Sequence, residues 1–218
     1  FTTLFIGCEE LILGPEPDNN PKNNFEILWK GFDENYALFP VKNVNWDSLH
    51  IVYGSRISAS TSESELWNIC GEMISELNDG HVVLLNKGIS KAYQSSEISR
   101  RSMDDFSLEL IKNKFLENDK TAGYGYFNYG RIKSTNIGYI HLSTFAASDY
   151  GNGVDWAYDI DKIVQELSGT DALIFDLRNN GGGLKITGSI IASAFIDREI
   201  TYFYQQEKTG KGHYDFGN

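Results

Sequence analysis

The sequence predicts an α+β protein: a small N-terminal helical cap followed by a mixed, partly parallel α/β core that is incomplete at its C-terminal end. Three observations carry this. Apolar residues recur at helical spacing through three segments before residue 80, β-rich and helical segments then alternate, and a run of three glycines turns an apolar strand into an apolar helix. With 218 residues, 41% of them hydrophobic, the chain can bury a sizeable core. The 30 acidic against 19 basic residues leave a net charge of -11, which argues against nucleic acid and against electrostatic adhesion to anionic lipid. Two cysteines make neither a disulfide framework nor a four-thiolate zinc site.

Residues 1–23 stand apart. Phe1-Thr2-Thr3-Leu4-Phe5-Ile6-Gly7-Cys8 reads either as the end of a lipoprotein signal, with Cys8 the acylated residue, or as an apolar strand holding a buried thiol. The following Glu9–Pro21 stretch holds three of the four prolines and no periodicity, as a flexible tether would. Tether after anchor is coherent, so Cys8 is expected to be lipidated and Cys70 to stay unpaired. The chain begins without Met and stops at Asn218 with no element completed, so it is expected to be a fragment or trimmed.

Residues 24–85 form the expected cap. Phe25, Leu28, Trp29, Phe32, Tyr36 and Phe39 mark a first helix, with Asn24 as its cap. Trp46, Leu49, Val52 and Tyr53 mark a second behind Asn45. Ser62-Glu63-Ser64-Glu65 is a capping box for a third, with Leu66, Ile69, Met73, Ile74 and Leu77 as its apolar stripe. The turn Leu77-Asn78-Asp79-Gly80 then delivers His81 to the start of a strand, Val82–Leu85. A histidine at a helix–turn–strand junction is either an ordinary loop residue or a catalytic group held by two rigid elements. His50, His141 and His213 show no ligand spacing, and no metal or cofactor is expected.

Residues 86–218 carry the core. A helix is expected around Phe106, Leu110, Ile111 and Phe115 behind Asp104 and Asp105. Tyr124–Ile132 and Ile137–Phe145 read as strands joined in a hairpin. A helix follows, with Trp156, Ile160, Ile163, Val164 and Leu167 on one face and Gly169 past its end. Ala172–Phe175 reads as a strand buried on both faces. Beyond Asn179-Asn180-Gly181-Gly182-Gly183 come an apolar helix and a strand, Glu199–Tyr204. Ligands meet such sheets at the carboxyl ends of parallel strands, where this turn lies. Phosphate binding by a glycine loop needs Gly-Lys-Ser/Thr, and Gly183-Leu184-Lys185-Ile186-Thr187 breaks that pattern. The turn is therefore either an oxyanion hole or a plain strand-to-helix connection.

Asp176-Leu177-Arg178-Asn179-Asn180-Gly181-Gly182-Gly183 resembles the DLRxNxGG signature of the S41 serine peptidases, which include C-terminal processing proteases and tricorn-core-like proteases. Asn136–Phe145 is similar to that family's GYI strand. The segment from Phe25 through Trp46-Asp47 to Asp79-Gly80-His81 resembles the helical cap of the tricorn-like branch. The resemblance spans about residues 24–205. It implies a ClpP/crotonase-like core, a peptide or protein substrate, and hydrolysis through a serine acyl-enzyme.

In that reading His81 takes the place of the general base, although the branch can carry a serine where Gly80 stands. The processing-protease branch uses a lysine instead. Gly181 and Gly182 match the oxyanion-side turn, and Asp176 and Arg178 are expected to fix it. After Gly183 only Ser189 and Ser193 are available, both within an apolar helix, so neither is assigned as nucleophile and this chain alone is expected to be inactive. The resemblance further implies a Bacteroidetes-type lipoprotein of the cell envelope. The alternative, from another class, is a non-catalytic module binding a peptide or an apolar ligand on the same fold.

Overall fold

The computed structural model describes residues 18–86, 91–96, 105–149 and 151–217. Cys8, the expected lipidation site, and Asp104 lie outside the described residues. Contacts divide the chain into two units, 1–100 together with 203–218, and 101–202.

The first unit holds α1 (Pro21–Asn35), α2 (Trp46–Gly54) and α3 (Glu63–Ser75), with a 3-10 turn at Phe39–Val41 between α1 and α2. The cap of α1 is Asn20, not Asn24: the Asn23 N–H donates to Asn20 Oδ1 at 2.9 Å. Pro21 explains the shift. Its missing N–H and fixed φ suit the first helical position, so the helix starts there and Asn24 falls inside it. Asn45 caps α2 and the Ser62–Glu65 box closes reciprocally on α3. Phe25, Trp46, Met73, Ile74 and Leu77 are buried together, and the indoles of Trp29 and Trp46 each donate to the other's backbone carbonyl, at 3.2 and 3.1 Å. Cys70 is buried and unpaired, and desolvation pushes its thiol up to about 11.

After α3 the chain forms an antiparallel pair, β1 (Val83–Asn86) with β2 (Lys91–Gln94). The C-terminal segment adds a two-residue pair, β7 (Glu207–Lys208) with β8 (Phe216–Gly217), and ties back onto α1. His213 Nε2 lies 2.8 Å from Asp33 Oδ1 with its ring stacked on Phe39, and Lys211 meets Glu34 at 3.1 Å.

The second unit holds α4 (Leu108–Phe115), β3 (Leu116–Ala122), β4 (Phe127–Ile132), β5 (Ile137–Leu142), α5 (Asp159–Glu166), β6 (Ala172–Asp176) and α6 (Lys185–Ser193). The sheet order is β3-β4-β5-β6; the first two pairings are antiparallel and β5–β6 is parallel, with Ile137 opposite Ala172 and His141 opposite Asp176. This is the mixed α+β arrangement expected. Phe127, Ile140, Leu142, Ile160, Ile163 and Ile191 fill one face of the sheet. Period-two alternation puts Tyr139, His141 and Asp176 on the opposite face.

Four local expectations need correction. The helix behind Asp105 begins at Leu108, because the Ser107 hydroxyl accepts the Leu110 N–H. Tyr124 lies in a 3-10 turn at φ +58, and the strand starts only at Phe127. Ahead of it stands β3, whose polar LENDKTA sequence hides a bulged edge strand; Asn118 takes positive φ there. β6 is not buried on both faces: it pairs only with β5 among the described residues, and Ile174 is 46% exposed. Glu199–Tyr204 forms no strand. No described helix is long and apolar enough to cross a membrane.

Candidate active site

His81 belongs to the first unit and the glycine turn to the second. Behind α3, Asn78 takes φ +43 and reverses the chain, so that Asp79 points inward while the side chain of His81 is fully exposed. The turn is held from several sides. The Lys42 ammonium donates to Asn78 O at 3.0 Å, Gln94 Nε2 donates to Gly80 O at 2.8 Å, and the Ser96 hydroxyl donates to Asn78 Oδ1 at 2.9 Å. Asp79 Oδ1 accepts the His81 N–H at 2.9 Å and Oδ2 accepts the Tyr36 hydroxyl at 2.7 Å. Burial pulls the Asp79 carboxyl up, but these donors together with Lys42 and His81 hold it below the usual carboxylate range.

In the second unit the turn after β6 is laced to the end of β5. Asn180 Nδ2 donates to Leu142 O at 2.9 Å, and Asn180 Oδ1 accepts the Gly182 N–H at 2.8 Å. The Gly181 N–H donates to Ser143 O at 3.1 Å, and Gly182 O accepts from Phe145 N at 2.7 Å and from the Thr144 hydroxyl at 3.1 Å. Both expected oxyanion donors, Gly181 and Gly182, are thus engaged within the fold. The third glycine differs. Gly183 forms a parallel bridge with Phe145 through its neighbours, Gly182 O and Leu184 N. In such a bridge one residue, here Phe145, supplies both its N–H and its C=O, and the other, here Gly183, turns both of its own away. The Gly183 N–H makes no hydrogen bond among the described residues.

Asp176 and Arg178 brace this turn, as expected. The guanidinium contacts the carboxylate at 2.6–3.1 Å, the Arg178 N–H donates to Asp176 Oδ1 at 3.0 Å, and the Tyr139 hydroxyl donates to Oδ2 at 2.7 Å. Against the opposing pull of burial, Arg178 and Tyr139 lower the Asp176 carboxyl to about 2. A depressed pKa stabilises the fold fully above the unfolded carboxyl value, and that share is lost as pH falls toward 2. Because Arg178 is half exposed, we expect its size to be on the order of 1–2 kcal/mol. Acid titration followed by circular dichroism should show Asp176→Asn losing stability near neutral pH and little below pH ~2. An unchanged difference from the native chain at both ends would contradict the assignment. Phe106 lies between Arg178 and the buried His141, whose Nε2 donates to Arg178 O at 3.0 Å.

Neither late serine is presented for chemistry. Ser193 Oγ donates to Ile190 O at 2.6 Å, and Ser189 Oγ donates to Lys185 O and also meets the Tyr202 hydroxyl. Among the described residues no cluster of His, Cys, Asp or Glu could hold a metal ion. Sequence reasoning missed Asp79, read only as half of an Asp-Gly turn, and Asn180 and Gly183. The adjacency of Asp79 to His81 by two residues was a visible signal, whereas the separate uses of three successive glycine N–H groups left none.

Residues 136–216 match the family model for peptidase family S41, and residues 17–75 match that for the tricorn protease C1 domain. The crystal structure of a candidate peptidase from Parabacteroides merdae ATCC 43184 is 32% identical with a TM-score of 0.77, over 92% of this chain and 60% of its own. This chain therefore spans 60% of that relative's length. A photosystem II D1 C-terminal processing protease is 14% identical with a TM-score of 0.40, over 84% of this chain and 66% of its own. No curated protein matches.

Proposed function

From a chain related to peptidase family S41, with a tricorn C1 segment ahead of an S41 segment, we propose that it is the N-terminal portion of a serine peptidase cleaving peptide bonds through an acyl-enzyme. The observation that carries this is the glycine turn at the carboxyl end of parallel strands. It is fixed by Asn180 and by the strand end, and of its three glycine N–H groups that of Gly183 makes no hydrogen bond among the described residues. A fixed donor of this kind stabilises charge developing on an attacked carbonyl without reorganising. In this proposal Gly183 supplies that donor. His81 takes the nucleophile's proton and returns it to the leaving amine, since imidazole exchanges protons near neutral pH. In this proposal the nucleophile is a serine outside these 218 residues, and this chain alone is inactive. Lipidation at Cys8 in the bacterial cell envelope belongs to the same proposal.

A fluorophosphonate probe on the longest natural reading frame containing this chain tests the reading. Covalent labelling of one serine outside these residues is expected, with none on this chain alone. A folded but unlabelled protein that still binds peptide would replace the peptidase with the binding module. Labelling at Ser189 or Ser193 would overturn the placement of the nucleophile.

A further inference from the structure

We infer that Asp79 is a positioning residue for His81: its carboxylate draws the imidazole Nδ1–H toward itself and leaves Nε2 as the outward, proton-accepting nitrogen. This rests on the reading of His81 as the general base, and it assigns the residue that selects the tautomer.

The geometry comes from the rigid turn. Asp79 is buried while His81 is bare to solvent, so a fixed carboxylate lies beneath an exposed ring. Asp79 Oδ1 lies 3.6 Å from His81 Nδ1. That is longer than a hydrogen bond, and a modest turn of the exposed ring closes it; such contacts are commonly loose before substrate binds. Oδ1 already accepts the His81 backbone N–H, and a carboxylate oxygen has a second lone pair for the ring. Oδ2 accepts the Tyr36 hydroxyl, which turns Oδ1 toward the imidazole.

The carboxylate itself cannot swing away. Tyr36, just past the end of α1, holds it directly, and its backbone is held in turn: the Asp79 N–H donates to the Ser95 hydroxyl at 3.4 Å, which donates to the carbonyl of Ile74 on α3. A carboxylate only accepts when ionised, so the imidazole nitrogen that faces it must carry the proton. Nε2 is then left with its lone pair in solvent, the form a general base requires. The same reasoning explains why Asp79 is buried rather than surface-exposed. An exposed carboxylate would hold the ring weakly, while a buried one held by Tyr36 and the His81 N–H can select an orientation without paying side-chain entropy at each turnover.

The test uses this chain alone and needs no turnover. Long-range proton–nitrogen NMR at about pH 8, where an ordinary imidazole is neutral, reads the tautomer of His81 directly. His81→Gln assigns its signals among the four histidines. The Nδ1–H form is expected to predominate in the native chain and to give way to the Nε2–H form in Asp79→Asn, with helical circular dichroism unchanged. A native chain in which Nε2–H predominates overturns the inference, as does a folded Asp79→Asn with an unaltered tautomer. Should Asp79→Asn fail to fold, Tyr36→Phe, which removes the hydroxyl holding the carboxylate, must lower the Nδ1–H share, and an unaltered tautomer there also overturns the inference. Failure of the base reading looks different: the tautomer would be as stated, yet His81→Ala would leave hydrolysis by the longer protein unchanged.

Discussion

Gly183→Ala is expected to destabilise the second unit by at least about 3 kcal/mol, combining overpacking with the cost of a positive φ. Gly183 takes φ +148, and an added Cβ would sit 2.0 Å from Phe145 C and 2.1 Å from Ala146 N. These are backbone atoms held in the bridge that aims the Gly183 N–H, so they cannot yield without breaking it. The neighbouring glycines provide the internal scale. Gly182 takes φ +77 with open space around a Cβ, so alanine there brings strain alone, on the order of 1 kcal/mol. At Gly181 the conformation is ordinary and nothing lies within 4 Å, so alanine should fall within about 0.5 kcal/mol of the native chain. Urea unfolding of the three variants should rank them in this order. Equal losses at Gly181 and Gly183 would show that the bridge does not constrain the turn.

His81→Ala is expected to lower peptide hydrolysis by the longer protein by about 10²–10⁴-fold, the usual share of a general base. Its stability should stay within about 0.5 kcal/mol, because the lost side chain is fully exposed. The backbone N–H that donates to Asp79 is kept by alanine, so the turn survives the change. That separation makes the measurement clean: lost turnover with unchanged unfolding identifies a chemical role. Unchanged turnover would move the base to another residue, such as a lysine.

Much of the architecture was legible because it follows from local patterns. The three cap helices came from apolar residues at helical spacing, and the Ser62–Glu65 box and Asn45 announced their own starts. The β4–β5 hairpin and the crossover helix to β6 followed from alternation and from the glycine at position 169. β3 was not legible, because an edge strand needs no apolar face and its bulge breaks what alternation remains. The β6 error runs the other way. Ala172–Phe175 is apolar throughout, but residue type states a preference for burial, and only the neighbouring elements decide whether it is met.

The site divides along the same line. Chemistry-bearing residue types sit in the sequence, so His81, Asp176, Arg178 and the glycine run could be picked out from it, and the Asp176–Gly183 motif, following the other segments in order, carried the resemblance to the S41 peptidases. Which glycine N–H remains available, and that Asp79 lies buried under an exposed imidazole, are set by partners far away in the chain: Ser143, Leu142 and Phe145 for the turn, Tyr36 and Ser95 for the carboxylate. A backbone donor is identical at every residue, so no side-chain pattern distinguishes a spent one from a free one. Only the tertiary structure, by satisfying two of three and turning the third outward, makes that choice.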